Sequence, residues 1–149
     1  MFVSVKLFGQ RDKLIYAEGM GAGIIYSFNY DMRFWNATYG PGFRIGTGIA
    51  AGREAFSIFL PTHLNWVLGN RHALEIGAGL VSILGKKSSE SNFYFYPSAA
   101  LVYRYTGDKG LSFRVGLNPT LISKDSDYAF LSHHVFWFWP AISIGFAFD

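Results

Sequence analysis

From Ile24 to Phe34 the chain falls into two alternating sets of residues. Ile24, Tyr26, Phe28, Tyr30, Met32 and Phe34 are large and apolar, while Ile25, Ser27, Asn29, Asp31 and Arg33 fall between them. Successive side chains of a strand point to opposite faces, so this spacing predicts a strand with one oily and one polar side. The same period returns along the chain. Phe43, Ile45, Thr47 and Ile49 oppose Arg44, Gly46, Gly48 and Ala50. Phe56, Ile58, Leu60, Thr62, Leu64 and Trp66 oppose Ser57, Phe59, Pro61, His63 and Asn65. Leu74–Leu80, Phe95–Tyr105, Leu111–Asn118 and Phe136–Phe148 repeat the alternation. In a short segment over Leu14–Met20, Tyr16 and Glu18 take the polar parity, with Ile15 and Ala17 on the other. Every charged residue in these strands keeps to the polar parity: Glu18, Asp31, Arg33, Arg44, Glu75, Arg104 and Arg114.

Helical alternatives fail. A spanning helix needs about 20 consecutive apolar residues. The greasiest stretch, Val135–Ile142, is far shorter and contains Pro140. Glycines interrupt the apolar segments, as at Gly19, Gly21, Gly23, Gly77 and Gly79, each costing about 1 kcal/mol in a helix relative to alanine. The 28 aromatic residues (Tyr, Phe and Trp) favour strands instead. The chain has no cysteine, which removes disulfides, thiolate metal sites and cysteine nucleophiles. Its charge of +3 is spread singly apart from Lys86-Lys87, which is too weak a signal for nucleic acid.

The segments number about eight, the minimum for a closed membrane barrel, in which each strand needs about 9–11 residues to cross. The expected fold is therefore all-β: a closed, antiparallel, up-and-down transmembrane β-barrel. Gly69-Asn70-Arg71 and Thr106–Gly110 read as tight turns, and with residues 35–41 they fall on one end, read as periplasmic. Gly21–Gly23 is a very tight turn at the other end, where Gly85–Asn92 and Ser123–His134 read as longer polar loops. Met1–Gly9 is either the remnant of an export signal or a first strand in place of Leu14–Met20, and residues 10–149 form a single barrel domain.

Which face looks outward follows from cost. An arginine or lysine facing lipid at the midplane costs about 2–4 kcal/mol, and no strand here incurs that. A soluble barrel binding a hydrophobic ligand is the alternative, with the oily parity inside. Its outer face would then carry many long polar side chains, whereas the polar parity is rich in glycine, alanine and serine, which suit a crowded bore. Tyr30, Phe34, Trp35, Trp66, Tyr103, Tyr105, Phe146 and Phe148 fall near the periplasmic strand ends, and Phe56, Phe93, Phe95, Phe136 and Phe138 near the outer ends. Such belts are expected at the two membrane interfaces.

The seven strand charges then meet inside the barrel. An eight-stranded interior is just wide enough for side chains to fill, so they are expected to form a salt-bridged plug rather than an ion path. Arg53, Lys86, Lys87 and Lys124 are expected on the outer side, where they would pair with lipopolysaccharide phosphates or lie in solvent. The expected setting is the bacterial outer membrane, with the bilayer and lipopolysaccharide as partners. No cofactor or metal is implied. His133-His134 is a weak metal signal, because neighbours in an extended chain point apart. His63 reads as a packed filler and His72 as a turn residue. A lipid A hydrolase is the enzyme alternative, and Ser132-His133-His134 offers its residue types without a triad spacing.

The run Tyr16-Ala17-Glu18-Gly19-Met20-Gly21-Ala22-Gly23-Ile24-Ile25-Tyr26-Ser27-Phe28-Asn29-Tyr30-Asp31-Met32-Arg33-Phe34 resembles the opening signature of a family of small, mostly uncharacterised outer-membrane barrels of Gram-negative bacteria. Leu74-Glu75-Ile76-Gly77-Ala78-Gly79, Tyr103-Arg104-Tyr105 and Phe113-Arg114-Val115-Gly116 are similar to the rest of that pattern. Met20 stands where the pattern has glycine, a departure that bears on the first turn. The resemblance implies a barrel fold, an export signal and an outer-membrane location. The ending Ile144–Phe148 also looks like the strand signal read by the barrel assembly machinery, although Asp149 follows it. No activity comes with the resemblance, and the His-x-Ser-Asn signature of outer-membrane deacylases is absent.

Overall fold

The computed structural model describes residues 11–23, 25–35, 37–51, 55–87, 90–121 and 136–149. They form eight strands: β1 (Lys13–Met20), β2 (Tyr26–Arg33), β3 (Gly40–Ala51), β4 (Ala55–Gly69), β5 (His72–Lys87), β6 (Glu90–Thr106), β7 (Leu111–Leu121) and β8 (Phe136–Phe148). Each strand pairs antiparallel with its sequence neighbour, and β1 closes on β8 with Ile15 opposite Phe146. Closure leaves no sheet edge, so the backbone groups along the strands pair within the barrel. Among the described residues the barrel opens with Lys13–Met20, which pairs with both β2 and β8. Among the described residues no helix is long and apolar enough to cross a membrane, which says nothing of crossing by strands.

Alternation sets the two faces. On β2, Ser27, Asn29, Asp31 and Arg33 are buried while Tyr26 and Phe28 are exposed. On β7, Ser112, Arg114 and Asn118 are buried while Leu111, Phe113, Val115 and Leu117 are exposed. The buried side is the bore and the oily side is the outer wall. Both ends of the described chain, the β4–β5 hairpin at 70–71 and the β6–β7 turn at 107–110 lie at one end, here the near end. Gly69 opens the first of these hairpins with a φ of 109°, a conformation that suits glycine.

Three features depart from the sequence reading or add to it. Of the longer polar loop expected over Gly85–Asn92, residues 85–87 and 90–92 are strand. Gly85 pairs with Asn92, Lys86 with Ser91 and Lys87 with Glu90, so β5 and β6 stay paired past the oily zone. The backbone ladder needs no apolar side chains, so polarity alone does not end a strand. Secondly, Gly21–Gly23 is one turn of 3-10 helix whose three residues are all buried. It folds inward over the bore, and Met20 takes a left-handed φ of 61° to start it. Thirdly, the β3–β4 register lapses between Ile45 and Gly48, at Pro61, which has no N–H to give the ladder. A groove of about 480 Å³ lies there on the outer wall, lined by Ile15, Phe28, Tyr30, Ile45, Thr47 and Leu60.

Candidate functional site

The bore brings together the chemistry of the chain. All seven strand charges are buried in it. Cross-strand neighbours do not choose the pairs. Arg104 and Arg114 lie directly opposite one another on β6 and β7, a like-charge pairing that is unfavourable unless each finds its own carboxylate. Each reaches across the bore to do so. Arg104 donates to Asp31 of β2 at 3.0 Å, and Arg114 donates to Glu75 of β5 at 2.7 Å. Arg44 stands opposite Asp31 but donates to Glu18 of β1 at 2.6 Å instead. Asp31 also pairs with Arg33, two residues along the same strand.

Asn65 knits the Asp31, Arg33 and Glu75 pairs into one network, and an ion pair of Arg114 with Glu18 at 3.8 Å joins Arg44 to it. Asn65 of β4 donates to Asp31 at 3.0 Å and to Glu75 at 2.9 Å, and its carbonyl accepts from Arg33 at 2.8 Å. Asn29 accepts from Arg44 Nε at 3.1 Å and donates to Ser27 at 2.8 Å. Arg33 also donates to the Gly40 carbonyl at 3.0 Å, which ties the network to the start of β3. Seven of the eight strands contribute a side chain. Tyr16 is the platform at the centre, with the guanidinium carbons of Arg114 and Arg44 lying 4.0 and 5.4 Å from its ring centroid. Cation–π contacts of this kind gain strength where water is excluded.

Beyond this layer, toward the far end, the bore changes character. Ala22, from the 3-10 turn, packs in a buried cluster with Phe59, Val81, Ile83 and Tyr96, against which Ala50, Tyr94 and Trp139 also pack. A smaller apolar cluster of Leu14, Tyr16 and Ala147 lies beside the charges, where β1 meets β8. Sequence reasoning placed Tyr16, Phe59 and Tyr96 on the inward parity but missed the apolar layer, and Asn65 as the linker of the ion pairs. The available signal was large apolar residues on the polar parity, Phe59, Tyr96 and Trp139 among them.

The eight aromatics assigned to the near end all lie on the outer wall or in the near-end turn. Phe34, Trp35, Trp66, Tyr103 and Phe146 are exposed, and Tyr30, Tyr105 and Phe148 are half-buried. Phe56, Phe93, Phe95 and Phe138 are exposed toward the far end; the Phe136 side chain lies outside the described residues. His72 opens β5 and hydrogen-bonds the Tyr103 hydroxyl through Nδ1 at 2.6 Å, and Arg71 beside it donates to Asp108 at 3.0 Å. Residues 1–10, Arg53, Lys124, Ser132, His133 and His134 lie outside the described residues, as do the side chains of Lys86 and Lys87, whose backbone ends β5. Among the described residues no group of three or more metal-type ligands comes together.

Fold and bore together define the class: a closed eight-stranded antiparallel β-barrel with a side-chain-filled interior. No protein-family model, curated protein or solved structure matches the chain.

Proposed function

We propose that this chain is a small outer-membrane β-barrel whose oily outer wall meets lipid and whose bore is closed. Its role is structural, or one of surface interaction through the segments at its far end. One observation carries the reading. The exposed wall is the apolar one, with Phe28, Leu64, Phe95, Phe138 and Ile142 each at least 60% exposed, while the charges lie inside. Soluble monomers rarely expose apolar patches beyond a few hundred Å². A bilayer makes such a wall favourable, and the aromatics near both ends suit its interfaces. The resemblance of Tyr16–Phe34 to small Gram-negative outer-membrane barrels supports the same setting, with biogenesis through the barrel assembly machinery. Lipopolysaccharide phosphates are the proposed partners of Arg53, Lys86, Lys87 and Lys124. A soluble carrier of a hydrophobic ligand would keep its bore free for cargo, and here side chains occupy it.

Detergent dependence tests the proposal. The protein should fold only with micelles or vesicles and show heat-modifiable migration on gels. Single-cysteine variants should place Ile142→Cys in contact with a lipid-soluble quencher and Ser143→Cys out of its reach. A chain that is monomeric and folded in plain buffer would overturn the membrane reading.

A further inference from the structure

The ionic layer is incomplete in a particular way. Arg44 Nη1, Arg114 Nε and Nη1, the Tyr16 hydroxyl and both ring nitrogens of His63 are buried and find no hydrogen-bond partner among the described residues. Unpaired buried groups of this kind are rare and costly, and they commonly mark a bound water or ion. These groups are gathered in one place. Both guanidiniums lie over the Tyr16 ring and both face Glu18, Arg44 through a hydrogen bond of 2.6 Å and Arg114 through an ion pair at 3.8 Å, too long for a hydrogen bond. His63 is the cross-strand neighbour of Arg44 and stands in the field of Arg44, Arg114 and Glu75. On the acceptor side only Glu18 Oε2 and Glu75 Oε2 of the network's carboxylates are left over, so unused donors exceed unused acceptors.

Charge points the same way. Among the described residues four buried guanidiniums face three buried carboxylates, an excess of one positive charge in the bore. Such an excess is expensive unless it is compensated. A cation would worsen it, and a divalent anion would overshoot it. Water would satisfy donors and leave the charge. We propose that the bore holds one small monovalent anion of halide size, bound by Arg44 and Arg114 with an N–H from His63. The anion completes the plug rather than passing through it, because the apolar layer seals the far side. This inference concerns the bore alone and stands whether or not the outer wall meets lipid.

The test uses the full chain folded in detergent micelles, with gluconate replacing chloride and ionic strength held constant. Chloride and bromide should raise the unfolding temperature saturably. At 100 times the dissociation constant the folding equilibrium should gain about 100-fold. Crystals grown with bromide should show an anomalous peak touching Arg44 and Arg114. His63→Leu should weaken halide binding about tenfold, as expected for one hydrogen bond to a charged group. Phe59→Ala, outside the cluster, should lower stability yet keep the halide response. Identical unfolding in halide and gluconate, or water only at the site with no anomalous signal, would overturn the proposal. If His63→Leu fails to fold, the halide titration of the unmodified protein and the anomalous signal still decide it.

Discussion

The near half of the bore is filled by four guanidiniums, three carboxylates and two asparagines, and the far half by Ala22, Phe59, Val81, Ile83 and Tyr96. Both halves exclude solvent, by different means. In the ionic half every member depends on a partner from another strand, because a buried charge that loses its counterion keeps the whole cost of its desolvation. In the apolar half each side chain contributes through area and fit, with no required partner. The ionic half therefore specifies which strands face one another across the bore, and the apolar half tolerates substitution as long as volume is kept. The bore is closed twice, in series.

That comparison can be broken most sharply by electrical recording. The unmodified barrel in a planar bilayer should show no stable conductance. Arg104→Ala alone should leave it closed at the apolar layer, and Phe59→Ala alone should leave it closed at the ionic layer. The combined variant should leak measurably, and equal leakage from either single variant would refute closure in series. Next in size is Arg114→Met, which strips Glu75 and Glu18 of a counterion. It should cost about 3–5 kcal/mol in denaturant unfolding from vesicles. Adding Glu75→Gln, which removes one of the stranded charges, should recover part of the loss, the signature of a pair rather than of packing.

In the apolar half Ile83→Ala should cost about 2–3 kcal/mol, within the range for truncating a buried aliphatic chain. No second substitution by a polar residue should restore it. The smallest expected effect lies in the turn that delivers Ala22. Met20 sits at φ 61°, where a side chain with a Cβ is strained by about 1–2 kcal/mol. Met20→Gly should remove that strain at the cost of a more flexible unfolded chain, for a net gain of about 1 kcal/mol or less. Hydrogen exchange at Ala22 and Gly23 should slow accordingly, and faster exchange would sink the account of the turn.

Much of the fold was legible beforehand because period two is a local property. Ser27, Asn29, Asp31 and Arg33 declare their face from spacing alone, and the seven charges could be assigned to one side of the wall without coordinates. The extent of strands was less legible. The stretch Gly85–Lys87 looks like loop because it is polar, yet it pairs with Glu90–Asn92, since main-chain hydrogen bonding is indifferent to what the side chains are. The inward fold of Gly21–Gly23 was hidden for another reason. A tight turn is written in its glycines, but the direction in which it leans depends on what Phe59, Val81 and Ile83, from distant strands, leave for it to cover.

By itself the amino-acid sequence determined strand character, strand parity and the sorting of charge from grease, because those follow from alternation along one chain. The tertiary structure alone decided which charge meets which. Arg44 passes over its cross-strand neighbour Asp31 for Glu18, and Arg104 crosses from β6 to β2. Those choices depend on the width of the closed bore and the stagger of its strands, which set the reach of each guanidinium and exist only once β1 has met β8.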